Sequence, residues 1–283
     1  MLVCTVLLHA SAQSTTTTTN SEANVESLTA LLAVRRNVLL GEVHDNAAQH
    51  ALRLRALQQR VAAGERPALA FEQFDRNQQA DIDRVRAEQP GSAAAIVALG
   101  APGWNWSFYA PFVQLAVDYK LPIVATNLSR ADAMRVSTSG WDAVFDAAER
   151  ERIGLDRLSP QVLARHEHAV AQGHCDLLPP EAVAALTRAQ IARDIMMAQA
   201  IEPYLASGVV LLAGNGHVRR DIGVPIWLAP GERAAVESIG LLENSGDTAT
   251  EDPAGRYDAV LFTSPAERPD PCESLRRRMP ARP

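Results

Sequence analysis

The chain has 283 residues, of which 47% are hydrophobic and 21% are charged. A composition this apolar excludes an intrinsically disordered protein, and the length suffices for one sizeable core. The formal net charge of −6 at pH 7 argues against a general nucleic-acid binder, because neutralising phosphates requires a basic face.

The first twenty residues have the pattern of a secretory leader followed by a Thr-rich tether. Residues 2–8 form a short apolar run, and Ala10-Ser11-Ala12 provides the small-x-small pattern of a cleavage site. The run is much shorter than the roughly 20 apolar residues that a membrane-spanning helix needs. The basic segment that usually precedes such a run is missing, so either the start of the leader is truncated or the leader is spurious. We expect an exported protein, and lipidation at Cys4 remains open.

Removal of the leader leaves two cysteines, Cys175 and Cys272. An even number of cysteines in a chain that enters an oxidising compartment favours a disulfide. The bridge would close a loop of about 97 residues and restrict the unfolded chain by roughly 4–5 kcal/mol on the loop-entropy model. Two unpaired thiols are the alternative.

Five short apolar runs predict buried β-strands. Their apolar character is continuous rather than alternating, which favours strands covered on both faces, as in a parallel sheet flanked by helices. The runs cover residues 37–40, 67–71, 121–125, 208–213 and 257–262.

Helical periodicity separates these runs, with apolar residues at three- and four-residue spacing over 47–62, 78–87 and 181–205. The alternation predicts an α/β fold with a mainly parallel sheet. Residues 130–206 contain no clear strand, so we predict a helical insertion or cap before the strand that leads to His217. One domain is expected over 21–263, with a flexible tail over 264–283.

Polar side chains follow four of the predicted strands directly. Glu42 and His44 follow the first strand, Glu72 the second, Asn127 the third and His217 the fourth. Because the carboxyl ends of parallel strands lie at one edge of a sheet, we expect these side chains to converge on one crevice. Taken singly, each has a plainer explanation as a loop histidine with one hydrogen bond or a carboxylate that caps a helix.

Two histidines and two carboxylates suit three kinds of site. They would hold a divalent metal with an activated water, perform acid–base chemistry without a metal, or contribute to a haem pocket. The glycines at 41, 214 and 216 do not form a dinucleotide or P-loop fingerprint, which argues against a nucleotide cofactor. His166 and His168 are two residues apart and share no helical face, so we interpret them as part of a solvated turn.

Several motifs occur in a characteristic combination and order along the chain. They are Gly41-Glu42-Val43-His44-Asp45-Asn46, Phe71-Glu72-Gln73-Phe74-Asp75-Arg76, Trp104, Tyr109, Asn127-Leu128-Ser129-Arg130, His174-Cys175, Ala189-Gln190, Arg193-Asp194 and Gly214-Asn215-Gly216-His217-Val218-Arg219. With these motifs, residues 37–262 resemble the ChaN family of haem-binding, iron-regulated proteins. The wider superfamily includes Tiki proteases, TraB proteins and erythromycin esterases.

The resemblance implies a haem-binding protein of the cell envelope that acts in haem or iron uptake. It implies a periplasmic or outer-membrane location, often with a lipid anchor, a homodimer around haem, and an outer-membrane haem receptor as a partner. The residues predicted to contact haem are His44, Tyr109, His174, Arg193 and His217, with Tyr109 and His174 as the candidates for the iron. Packing in an aromatic cluster is the alternative for Tyr109, and pairing with a surface carboxylate is the alternative for Arg193.

The superfamily resemblance also permits a hydrolase. Its catalytic residues would be Glu42, His44, Glu72 and His217, which would become metal ligands if a divalent metal is present. A ligand-binding scaffold that has lost both activities is the third hypothesis.

Overall fold

A computed structural model of the chain describes residues 12–244 and 254–278. The strands are β1 (Asn37–Leu40), β2 (Ala68–Asp75), β3 (Ile123–Asn127), β4 (Val209–Leu212), β5 (Val236–Glu243) and β6 (Ala259–Thr263). The helices are α1 (Ala12–Val34), α2 (Ala47–Ala62), α3 (Gln79–Glu88), α4 (Ala93–Val97), α5 (Trp106–Asp118), α6 (Arg130–Ser139), α7 (Ala147–Ile153), α8 (Pro160–Gly173), α9 (Pro180–Ile201), α10 (Asn215–Val218), α11 (Pro230–Ala235) and α12 (Pro271–Arg278).

The six strands of the described residues form one sheet in the order β3-β2-β4-β1-β5-β6, and every pairing is parallel. This confirms the predicted α/β fold with a parallel sheet and flanking helices. All five predicted strands are present. The sixth, β5, was not predicted because Glu237 and Ser238 interrupt its apolar run. Ser238 is nevertheless buried, and its hydroxyl is satisfied because it donates to the carbonyl of Val218.

Apolar side chains pack against both faces of the sheet. Leu40 of β1 and Phe71 of β2 belong to a core that they share with helices α1 to α5. Leu39 and Ala70 belong to the opposite core, where Met197 of α9 is fully buried. Fully burying a leucine or a phenylalanine stabilises the fold by about 1.5–3 kcal/mol. Polar groups of the central strands therefore concentrate at the strand ends, where the loops begin.

The predicted helical insertion lies between β3 and β4 and consists of α6 to α9 with short 3-10 helices. His166 and His168 are part of α8 in this insertion, so the predicted solvated turn is wrong. Ser159 caps α8 and Pro160 begins it, which starts the helix ahead of the histidines. His166 faces inward and is only 1% exposed, and its burial lowers its pKa to about 4.

The structure differs from the prediction at both ends of the chain. Residues 1–11, which hold most of the predicted leader, lie outside the described residues, whereas 15–19 belong to α1 instead of a tether. The predicted flexible tail contains α12, and the predicted Cys175–Cys272 disulfide bonds this helix to the turn between α8 and α9. None of the described helices is both long enough and apolar enough to cross a membrane.

Candidate functional site

The candidate site lies where the neighbouring strands β2, β4 and β1 deliver polar residues to the carboxyl edge of the sheet. The structure brings Glu42, His44, Glu72 and His217 together at this edge. Asn127, at the end of β3, instead accepts a hydrogen bond from Arg193. Four of the five side chains predicted to converge are thus in one linked cluster.

Glu42 is the buried centre of this cluster. Its Oε1 accepts hydrogen bonds from the Tyr109 hydroxyl at 2.6 Å and from His44 Nδ1 at 2.9 Å. Its Oε2 pairs with the guanidinium of Arg53, and both of these side chains have no exposed surface. Arg53 supplies the positive charge that a buried carboxylate requires. Glu42 is therefore a fixed anchor for His44 rather than a free acid.

His44 is the accessible member of the cluster, with 46% of its side chain exposed. Its ring meets the edge of Trp104, with 5.0 Å between the ring centroids. Since a carboxylate only accepts, the contact with Glu42 assigns the proton to Nδ1 and leaves the Nε2 lone pair available in the neutral ring. Nε2 lies beside Gly214, where a Cβ would approach it to 2.9 Å, so a larger residue at this position would displace the imidazole.

A second linked group lies directly behind His44. His217 Nδ1 is 2.6 Å from Asp194 Oδ1, and His217 Nε2 is 3.3 Å from Glu72 Oε1. The same Glu72 oxygen is 3.9 Å from His44 Nε2, and the backbone N–H of Gly214 donates to the other Glu72 oxygen at 2.7 Å. Imidazoles and carboxylates thus alternate from buried Asp194 to half-exposed His44.

Mutual electrostatics determine the charges of this second group. Burial alone lowers the pKa of His217, but the carboxylates of Glu72 and Asp194 outweigh it and raise the pKa to about 10. Burial raises the pKa of Glu72, but the neighbouring His217 and His44 outweigh it and lower the pKa to about 2. Burial dominates for Asp194 and raises its pKa to about 6. At neutral pH, His217 is an imidazolium between two carboxylates.

Tyr109 lies inside an aromatic cluster, as in the alternative interpretation of its sequence context. It is 1% exposed and contacts the rings of His50, Trp104 and Trp106 edge-on. Burial raises the pKa of its hydroxyl, which donates to Glu42. An iron-bound tyrosinate would have to lose this proton and this contact, so the geometry argues against the predicted iron contact of Tyr109.

His174 and Arg193, also predicted to contact haem, have different surroundings. His174 follows α8, and its Nδ1 is 2.7 Å from the carbonyl of Val170, which assigns the proton to Nδ1 and leaves the Nε2 lone pair available. Among the described residues, no hydrogen bond or ion pair joins His174 to the Glu42 cluster. Arg193 Nη1 donates to Asn127 and to the Leu128 carbonyl, so its hydrogen-bond partners are uncharged.

Three residues of the site were not predicted as site residues. Arg53 and His50 belong to the inward face of α2, and Asp194 belongs to the inward face of α9. His50 stacks on Phe108 with 4.6 Å between the ring centroids, and its Nε2 is 3.0 Å from the carbonyl of His44. Asp194 already belonged to the motif Arg193-Asp194. For Arg53 and His50 the available signal was a polar side chain at a position that helical periodicity assigns to the core.

The described residues contain no group of three or more His, Cys, Asp or Glu side chains arranged to hold a metal ion. Glu42 is occupied by Arg53 and Tyr109, and His217 by two carboxylates. The metal hypothesis for Glu42, His44, Glu72 and His217 would therefore require these contacts to rearrange.

Comparison with known proteins places this geometry in a family context. A family model described as haem-binding uptake, Tiki superfamily, ChaN, matches residues 28–228. The solved structure of cofacial haem binding to ChaN of Campylobacter jejuni is 19% identical with a TM-score of 0.64, covering 83% of this chain and 90% of that one. An erythromycin esterase in its open conformation is 17% identical with a TM-score of 0.44, covering 77% of this chain and 72% of that one. No curated protein matches the sequence.

Proposed function

The chain belongs to the ChaN family of haem-binding uptake proteins in the Tiki superfamily, and we propose that it binds haem at the carboxyl edge of its sheet. The observation that carries this proposal is His44, a half-exposed imidazole that a buried carboxylate anchors through Nδ1 beside the ring of Trp104. Histidine is a common ligand of haem iron, and a partner on its other nitrogen fixes the tautomer and raises the basicity of the ligand.

The side chains at this edge fit a haem group in different degrees. His44 would contact the iron and Trp104 would pack beside the ligand, whereas His217 lacks a free lone pair because both of its nitrogens face carboxylates. Bound haem supplies the iron, and the residues of the chain bind and orient it. Because His44 is at an open edge, a flat ligand there would expose its second face, which a second copy of the chain would cover.

We place this activity in the cell envelope, in haem or iron uptake. The Cys175–Cys272 disulfide supports this location, because disulfides persist in oxidising compartments and are rare in the cytosol. An outer-membrane haem receptor is the expected partner.

Titration of haemin into the purified chain is expected to give a saturable Soret shift of defined stoichiometry. His44→Ala should weaken haemin binding by about 100-fold, because it removes the proposed iron contact. His168→Ala, which changes an exposed histidine of α8, is the matched control and should bind like the wild type. Featureless additive spectra with the wild type would refute haem binding, and an unchanged His44→Ala variant would refute the role of His44.

The Asp194–His217–Glu72 arrangement favours a second candidate function, hydrolysis of an ester or a peptide. A buried carboxylate that orients an imidazole is a recurring arrangement in acid–base catalysis. In this proposal His44 takes the proton of an attacking water, whose oxygen bonds to the carbonyl carbon. His217 then gives its proton to the leaving group as the original bond to that group breaks.

Hydrolysis of a panel of chromogenic esters would test this second function. His217→Gln should reduce the rate by about 10²–10⁴-fold, because it removes the proposed general acid. Addition of a chelator distinguishes a metal-dependent reaction from a metal-free one. Turnover that persists in both His44→Ala and His217→Gln would exclude this site as the catalyst.

A further inference from the structure

A C-terminal strap, defined here as residues 264–272, crosses the loop that carries His44. We propose that Arg268 of this strap is a positioning residue that fixes His44 for ligand binding. The inference rests on the proposed haem site, and it adds a part of the chain beyond residue 228, where the family match ends.

The first observation is a set of contacts on both residues that follow His44. Arg268 Nη1 donates to Asp45 Oδ1 at 2.6 Å. The side-chain amide of Asn46 donates to Glu243 Oε1 at 2.7 Å and to the carbonyl of Ser264 at 2.9 Å. Strap contacts therefore restrain the loop immediately beside the imidazole that reaches solvent.

The second observation is that Glu243, the last residue of β5, joins the strap to this loop. Its carboxylate accepts from the backbone N–H of Ala266 at 2.8 Å and from the guanidinium of Arg268. The Glu243 side chain is 13% exposed and that of Arg268 is 28% exposed, so solvent screens this pair less than a fully exposed one. Arg268 thus bridges the carboxylate of Asp45 in the His44 loop and the carboxylate of Glu243 at the end of β5.

The third observation is that the strap is anchored covalently at its other end. Cys272 is bonded to Cys175, which directly follows His174 in the insertion. Arg268 precedes Cys272 by four positions, and a fully extended chain spans at most about 14 Å over that length. The strap thus connects the His44 loop to the helical insertion with little slack.

His44 is held from the interior by different residues. Glu42 binds its Nδ1, and His50 Nε2 is 3.0 Å from its carbonyl. Loss of Arg268 would leave these inner contacts and the Asn46 contacts intact and would remove the restraint on Asp45. The fold should therefore survive, whereas the orientation of the imidazole would become less defined.

Three variants test the proposal in the full-length, oxidised protein. Arg268→Ala should weaken haemin binding by about tenfold and change the Soret maximum, because partners outside the ligand shell typically affect affinity by 10- to 100-fold. Arg268→Lys, which keeps one charged donor, should restore most of the affinity. Arg277→Ala is the matched control and should bind haemin like the wild type, because Arg277 pairs with Glu273 of its own helix, away from the His44 loop.

A second measurement keeps this proposal distinguishable from the proposed function. Without haemin, the backbone N–H of Asn46 should exchange its hydrogen about tenfold faster in Arg268→Ala than in the wild type. The NMR resonances of the His44 ring should shift as well. If the wild type fails to bind haemin, the proposed function is lost and exchange alone decides the role of Arg268. The positioning role would be overturned if Arg268→Ala kept the hydrogen exchange and the His44 ring resonances of the wild type. It would also be overturned if this variant kept the wild-type haemin affinity and Soret maximum.

Discussion

Arg53→Met is expected to lower the free energy of unfolding by about 3–5 kcal/mol. The Arg53 guanidinium lies on Glu42 Oε2, and both side chains are completely buried. Methionine would fill much of the same space, but it would leave the Glu42 carboxylate in the interior without its countercharge. Urea unfolding at pH 7 measures this loss. The dependence of the free energy of unfolding on urea concentration should be the same for the variant and the wild type.

Two further variants isolate the cause of this loss. Arg55→Met changes an exposed arginine of the same helix and should alter stability by no more than about 0.5 kcal/mol. The double variant Arg53→Met with Glu42→Gln removes both charges and should recover part of the loss. If Arg53→Met alone costs less than about 1 kcal/mol, Glu42 and Arg53 do not form a buried charge pair.

The second large effect concerns alkaline pH. The pKa of His217 is raised from 6.5 to about 10 in the folded chain, so the folded state retains a proton that the unfolded state loses. This contribution to stability is fully present below pH 6.5 and is lost as the pH rises toward 10. Between about pH 7.5 and 9.5 the free energy of unfolding should fall by up to about 1.4 kcal/mol for each pH unit, which is the slope expected for one proton.

Urea midpoints across this range measure the slope. His217→Gln should abolish it, because the glutamine has no proton to lose. His166 is the matched control: it is also buried, but its lowered pKa of about 4 makes it neutral in both states above pH 7.5, so His166→Asn should keep the slope. A flat wild-type profile would contradict the imidazolium assigned to His217.

The fold was largely predictable because continuous apolar runs identify strands that are buried on both faces. Once the sheet is parallel, Glu42, Glu72 and His217 must lie at one edge, so their proximity follows from topology. Strand β5 was missed since Glu237 and Ser238 read as polar, although Ser238 is satisfied by a backbone carbonyl that only the folded chain brings near.

The partners of these residues could not be predicted in the same way. Arg53 follows Glu42 by eleven positions and Asp194 precedes His217 by twenty-three, and nothing local in either helix identifies the residue across the contact. The strap was predicted to be flexible because its prolines and arginines resemble a solvated tail. Its order comes from Glu243, Asp45 and Cys175, which are distant in sequence.

The sheet order has a consequence for folding of the chain during its synthesis on the ribosome. Strand β4 lies between β1 and β2, yet Val209 is synthesised long after Ala68. The two early strands have no common neighbour until β4 emerges, and closing so long a loop before any contact forms makes the step slow. In a nascent chain stalled before Val209, both edges of β1 and one edge of β2 would lack their partner strands, and unpaired strand edges are sites for aggregation.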